Sequence, residues 1–342
     1  MKKHIVTLFL LLLLLLTACE NDIPFRSEGI SPKLTMNGFI NTDSPTNILY
    51  LNYTGKINIG HVDDATVEVY INNELNETAE AIIPEYEYDK QKRFSLKSRF
   101  KPGDKVRIEA RTADGKHHAW VEETVPDKMD ILQLDTINVT LSMNDMYSIL
   151  KRIFVFITFK DRENEKNHYR IVVEQHKAIK GVSYEGNDTI AYETAREFWP
   201  WNDLVLTEGQ PATPEELDNG LFERVENKYG VFDDNMFQNK EYTMTVQTWF
   251  TNFYRHYSFI PKTLDAYLTV RLLSITEAEY YYLRTLNHID SDIYENYLDG
   301  PPIIPGNVKN GVGIVGFSSE SAITIPVIKD LKIDVYEEPS WD

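Results

Sequence analysis

The sequence is almost without cysteine: Cys19 is the only one in 342 residues. No disulfide can form within the chain, so the fold must rest on its hydrophobic core. The same scarcity removes a free thiol nucleophile and the cysteine-based zinc arrangements. Basic residues are also few, with 35 Lys and Arg against 53 Asp and Glu and a formal charge of −18. Nucleic acid and anionic lipid are recognised by clustered Lys and Arg, so neither is an expected partner. Beyond Leu16 the chain has no apolar run approaching the ~20 residues that a membrane-spanning helix needs. Internal repeats and low-complexity tracts are missing there too. His-Glu-x-x-His, Gly-x-Ser-x-Gly and a phosphate-cradling glycine loop do not occur. Their absence removes the usual zinc-protease, α/β-hydrolase and nucleotide-binding readings.

What is present begins at the N-terminus. Lys2 and Lys3 precede an unbroken apolar stretch from Leu8 to Leu16, and Leu16-Thr17-Ala18-Cys19 closes it. A basic start, an apolar middle and small residues before a cut make a secretory signal. Leu-small-small-Cys is the ending used by bacterial lipoprotein signals. Residues 1–18 are therefore expected to be a signal peptide and 19–32 a tether carrying diacylglycerol on Cys19. Anchoring then comes from acyl chains, each buried methylene contributing roughly 0.8 kcal/mol. Cleavage leaves 324 residues and, with Lys2 and Lys3 gone, a formal charge of −20. That length exceeds the ~100–200 residues of one average domain and predicts two.

From Lys33 the pattern is short, alternating, β-branched and aromatic runs. Lys33–Ile40, Asn47–Tyr53, Thr66–Ile71, Arg93–Lys97, Lys105–Ala110 and His117–Val125 follow one another at close spacing. Turn clusters separate them, the sharpest being Asp114-Gly115, which suits a tight hairpin with positive φ at both central residues. Residues 33–127 are expected to form an immunoglobulin-like β-sandwich. Residues 128–342 read as a larger β-rich domain, with strands at Ile131–Leu141, Ile153–Phe159, Tyr169–Glu174, Glu241–Phe250, Tyr267–Leu273, Gly313–Phe317 and Ala322–Val327. Two helices interrupt it. A short one starts at Thr213-Pro214 and stops at Gly220. A longer one, 276–298, opens on the capping box Thr276-x-x-Glu279 and carries a stripe of Tyr282, Leu286, Ile289 and Ile293. The fold class is mainly β.

Candidate chemistry is thin. His117-His118 falls in a strand, where neighbours face opposite ways and cannot share an ion. Asp161-x-Glu163-x-Glu165 resembles the opening of a calcium loop but lacks its glycine and closing glutamate. Asp233-Asp234-Asn235 could hold calcium or form a solvated turn. Gly311-x-Gly313-x-x-Gly316 spells the dinucleotide fingerprint, yet no helix follows it, so no cofactor is expected. Its glycines suit a closely packed strand. Phe198-Trp199-Pro200-Trp201 is a dense aromatic cluster outside any periodic element. Phe198, Trp199 and Trp201 are the nominated ligand or partner contacts, with a plug between two sheets as the competing role. No metal ligands and no catalytic residues are nominated.

These residues resemble a known family. Leu34-Thr35-Met36-Asn37-Gly38-Phe39-Ile40, Asp63–Val69, Phe232-Asp233-Asp234-x-x-Phe237 and Val270–Tyr282 are similar to motifs of the Bacteroidota lipoproteins grouped as domain of unknown function 4249. Pro301–Gly316, with Pro301-Pro302-Ile303-Ile304-Pro305-Gly306, is the most specific match. Lys33-Leu34-Thr35 is less apolar than usual there, and Val315 replaces a frequent phenylalanine. The resemblance implies a partner, a TonB-dependent outer-membrane receptor, and no established catalytic residue. Glu20 and Asp22 beside the lipid resemble the acidic export signals of Bacteroidota surface lipoproteins, which implies the outer membrane and its cell-surface face. The expected function is thus a non-enzymatic accessory lipoprotein in nutrient uptake. A free-standing glycan- or peptide-binding lipoprotein is the alternative, and a hydrolase with an unconventional site is a remote one.

Overall fold

The computed structural model describes residues 31–55, 60–62, 64–86, 91–142, 149–163, 165–196, 198–200, 203–209, 225–251, 258–291 and 303–332. Cys19, Trp201, the 213–220 helix and Ile293 lie outside them. Strands dominate the described residues, and one helix interrupts them.

The first sandwich forms where alternation puts every second side chain inward. Its strands are β1 (Leu34–Asn41), β2 (Asn47–Tyr53), β3 (Ala65–Ile71), β4 (Glu74–Thr78), β5 (Glu80–Ile82), β6 (Lys92–Leu96), β7 (Lys105–Thr112) and β8 (His118–Thr124). One layer is β1-β2-β6-β5 and the other β4-β3-β7-β8. Leu34, Met36, Ile40, Leu49 and Leu51 meet Val67, Val69, Val106, Ile108 and Ala110 between them. β4 and β5 were not evident in the sequence. The turn into β4 is Asn72-Asn73, both at positive φ (52° and 70°), a hairpin made by asparagine's tolerance of the left-handed region rather than by glycine. At Asp114-Gly115 the expected two-residue turn is replaced. Only Gly115 has positive φ, and Asp114 Oδ1 instead accepts bonds from Thr112 Oγ1 (2.7 Å) and Lys116 N (3.1 Å).

The second sandwich packs a three-stranded sheet on part of a nine-stranded one. β9 (Ile131–Ser142), β10 (Ile149–Lys160) and β14 (Glu241–Thr251) make the small sheet, in the order β14-β10-β9. Facing it are β12 (Asp188–Arg196), β11 (His168–Ser183), β15 (Phe259–Ile275) and β16 (Val315–Lys332), with β13 (Val231–Asp233) paired to β11. Ile153, Val155, Ile157 and Phe159 of β10 pack against Ile171, Val173, Leu268, Val270 and Leu272.

The two sandwiches share a strand. β16 joins two segments that read as separate in the sequence, because Ser318-Ser319-Glu320-Ser321 resembles a turn. It pairs in parallel with β1 at Val315–Ser318 and antiparallel with β15 from Ser318 onward. The serines are buried where the strand crosses over. Ser319 Oγ donates to Pro126 O (2.8 Å) and Ser321 Oγ to Asp130 Oδ1 (3.2 Å). The large sheet therefore runs without a break across residue 127, and Val315 and Phe317 lie in the core of the first sandwich.

The helix, α1 (Glu277–Ile289), differs from expectation in three ways. It ends at Ile289 rather than 298, capped by Asp290, whose N–H returns to Leu286 O at 2.8 Å. Its buried face is Glu279, Tyr280, Leu283 and Asn287; Tyr282 and Leu286 only flank it. The expected stripe is thus rotated, because Tyr280 and Asn287 face inward at positions where simple hydrophobicity favours Tyr282 and Leu286. The capping box is not formed. Thr276 makes no side-chain cap; its Oγ1 accepts a bond from Phe317 N at 3.3 Å, and Glu279 points into the protein. Leu283→Ala should consequently cost about 2–3 kcal/mol in urea unfolding, and Leu286→Ala under about 1.5 kcal/mol. Equal losses at the two positions would put the packed face back where the sequence suggested it.

Candidate functional site

Motifs far apart in the sequence meet beside α1. The segment before β16 runs alongside β1. Met36 N donates to Val312 O (3.0 Å), Gly38 N to Ile314 O (2.9 Å), and Ile314 N to Asn37 Oδ1 (3.0 Å). The glycines allow this approach. A Cβ on Gly313, which sits at φ 118°, would fall on Met36 O, and one on Gly311 would lie 2.5 Å from Leu34 O. One on Gly316 would come within 2.7 Å of Glu279 Cβ. Phe39 meets Tyr282 edge-on with ring centroids 5.9 Å apart. The Gly311–Gly316 fingerprint is a packing device between β1 and α1, as the sequence context suggests.

Glu279 is the least expected residue here. It is 1 % exposed, and its Oε2 has no hydrogen-bond partner. Burial drives its carboxyl up to about 8, and Arg170 opposes this only partly. Arg170 is itself held below its usual value by burial; its Nε donates to Tyr229 O at 3.1 Å. Next to it His168, with an unpartnered Nε2, stacks on Tyr280 at 4.6 Å, and burial lowers its pKa. Sequence reading assigned Glu279 to a helix cap, so its burial was hidden behind a familiar motif.

A second buried polar cluster joins the two calcium candidates. Asp161 (3 % exposed) and Asp234 (0 %) both hold Asn167. Asn167 N donates to Asp234 Oδ2 at 2.7 Å, and its Nδ2 reaches Asp161 Oδ1 at 3.4 Å. Tyr169 OH donates to Asp161 Oδ1 (2.7 Å) and Asn239 N to Asp161 Oδ2 (3.0 Å). Only Asp234 Oδ1 lacks a partner; burial, with help from Asp161, raises the Asp234 pKa. Asp233 caps a turn through Asn235 N at 3.1 Å, so the Asp233–Asn235 turn is solvated at one acid and buried at the next. Among the described residues no three His, Cys, Asp or Glu side chains converge on a metal position. His117 lies tilted against Tyr53, ring centroids 4.9 Å apart, and His118 bonds Glu109 Oε2 at 3.0 Å, so the two share nothing.

The nominated aromatic segment is fastened along the edge of the small sheet. Trp199 N donates to Gln247 O at 2.6 Å, and Trp199 O accepts from Gln247 N at 3.3 Å. Past Pro200, the buried Asp203 takes bonds from Thr245 N (2.8 Å) and Tyr242 OH (3.0 Å). Phe198 packs against the core, its ring tip near Gly230. Phe198 and Trp199 are half-buried.

The larger open surface is the outer face of the nine-stranded sheet, which the sequence did not reveal because β12 was not recognised there. A charged row crosses it. Arg196 and Arg271 flank Glu174 at 2.6 and 3.3 Å, Arg271 pairs with Glu320, and Asn41 Nδ2 donates to Glu320 at 2.7 Å. Beyond the row, Tyr192 (78 % exposed) and Tyr267 (41 %) stand out, with His176 bonded to Thr194 and Thr269 to Thr324. Lys180 and Asp265 neutralise each other at 2.6 Å. This platform is aromatic and hydroxyl-bearing, with Glu174, Glu320 and Asp265 paired to Arg196, Arg271 and Lys180.

Fold and site together define a class: a two-sandwich β protein with buried polar clusters and with exposed tyrosines on the outer face of its large sheet. The chain belongs to the family described as Domain of unknown function (DUF4249), whose model matches residues 20–324. No curated protein matches it.

Proposed function

We propose that the protein is a lipid-anchored, non-enzymatic accessory of a TonB-dependent outer-membrane receptor, helping to capture that receptor's ligand at the cell surface. The observation that carries this reading is Leu16-Thr17-Ala18-Cys19, placed directly ahead of the family-matched region that starts at residue 20. The aromatic segment at Phe198 and Trp199 and the open platform are the surfaces offered to a partner. The test is isolation from native membranes. The wild-type protein should sediment with outer membranes and bring down a TonB-dependent receptor, whereas Cys19→Ser should retain its leader and lose both. A normally processed, membrane-bound Cys19→Ser protein would remove the anchor. A wild-type protein purified without any receptor would instead favour a free-standing binder of glycan or peptide. Tyr192 and Tyr267 support that second reading, since exposed rings beside hydroxyls suit a ligand with apolar faces and polar edges.

A further inference from the structure

We infer that α1 is a proton-operated latch: it stays seated on the joint between the sandwiches while Glu279 holds its proton, and unseats when the proton passes to solvent. The geometry carries the inference. The helix lies against β11, β13 and β16, and Glu279 sits at the centre of that contact with its side chain on Gly316. Its Oε2 is buried there without a hydrogen-bond donor, a costly position for a charge. The facing residue on β16 is Gly316, which offers no side-chain donor at this point. From β11 the facing charges are Arg170 and His168, and from β13 Asp233. On the helix itself Glu277, Tyr280 and Arg284 are near. Of all these only Arg170 acts on Glu279, and its Nε is already committed to Tyr229 O.

The direction follows from linkage. A carboxyl with an ordinary value of 4.5 when exposed and about 8 when seated binds its proton more tightly in the closed state. Closure is thus firmest below the ordinary value and weakens by about tenfold per pH unit until the seated value is reached, where it levels off. His168 acts in the opposite sense. Burial lowers its pKa from 6.5, so its contribution is lost as pH falls below that value and is constant above it. The interval from about pH 6.5 to about pH 8 isolates Glu279.

The test is hydrogen exchange on the mature full-length protein at those two pH values, each rate divided by its intrinsic rate. Amides of Tyr280–Ile289 should open about fifteenfold more readily at the higher pH, where half of the seated carboxyl is ionised. Amides of Val67, Val69 and Ile108 in the first sandwich should not change. Glu279→Gln, which cannot ionise, should abolish the difference, and Glu279→Met should do the same if glutamine folds poorly. Equal protection of the wild-type helix at both values would overturn the latch. So would a folded Glu279→Gln or Glu279→Met protein that keeps the wild-type change, since another group would then be responsible.

Discussion

Phe317→Ala is expected to lower the unfolding free energy by about 3–5 kcal/mol, the range for deleting a buried aromatic ring. Phe317 is wholly buried and packs edge-on against Phe100, ring centroids 5.6 Å apart. Its backbone N–H meets Thr276 Oγ1 and its carbonyl accepts Thr276 N at 3.0 Å. One residue from the C-terminal part of the chain thereby completes the core of the N-terminal sandwich and holds the start of α1. The loss should be visible in both sandwiches, as a single transition moved to lower urea rather than a new early one. A companion follows from the same topology. Residues 33–127 expressed alone lack Val315 and Phe317 and leave one edge of β1 unpaired, so that fragment should be largely unfolded or aggregated. A fragment with a sharp, cooperative transition, or a Phe317→Ala protein of undiminished stability, would mean that the shared strand contributes little.

Strand existence was legible wherever alternation ran unbroken, as in Leu34–Asn41 and Lys105–Thr112, because one face of each is core and the other solvent. What escaped was whatever depended on a distant partner. Ser318–Ser321 is polar by composition yet buried, since its hydroxyls find Pro126, Asp130 and Ile40 across the crossover; no local rule anticipates those partners. β12 alternates weakly, exposing Ile190 and Tyr192 on an open face, and so lacked the polar outer side that marks a half-buried strand. The family-like motifs at Leu34–Ile40, Val270–Tyr282 and Gly311–Gly316 proved to be neighbours. Contacts among Phe39, Tyr282, Asn37, Glu279 and the glycines bring them together. The open platform around Tyr192 and Tyr267 draws on no motif at all, so sequence reading directed attention to Trp199 and Trp201 instead.

Asp161→Ala is expected to cost about 3–5 kcal/mol, because it strips acceptors from a buried cluster of polar groups. Tyr169 OH, Asn167 Nδ2 and Asn239 N would each lose a bond at once, and Tyr169 is wholly enclosed. Asp161→Asn should cost less. Its oxygen can still serve Tyr169, but its amide would face the Asn239 N–H, donor against donor. The asparagine variant also removes a negative charge that helps raise the pKa of Asp234, so Asp234 should titrate lower in it, as carboxyl NMR can follow. The same arrangement decides between hydrogen bonding and calcium for the two acidic segments. Both oxygens of Asp161 already accept protein donors, and among the described residues no third acid or histidine joins Asp161 and Asp234 to complete a ligand set. Adding calcium should therefore leave the melting temperature of the wild-type protein where it is. A calcium-dependent rise that disappears in Asp161→Asn would show that an ion, rather than Asn167, Tyr169 and Asn239, is what these two buried acids are built to hold.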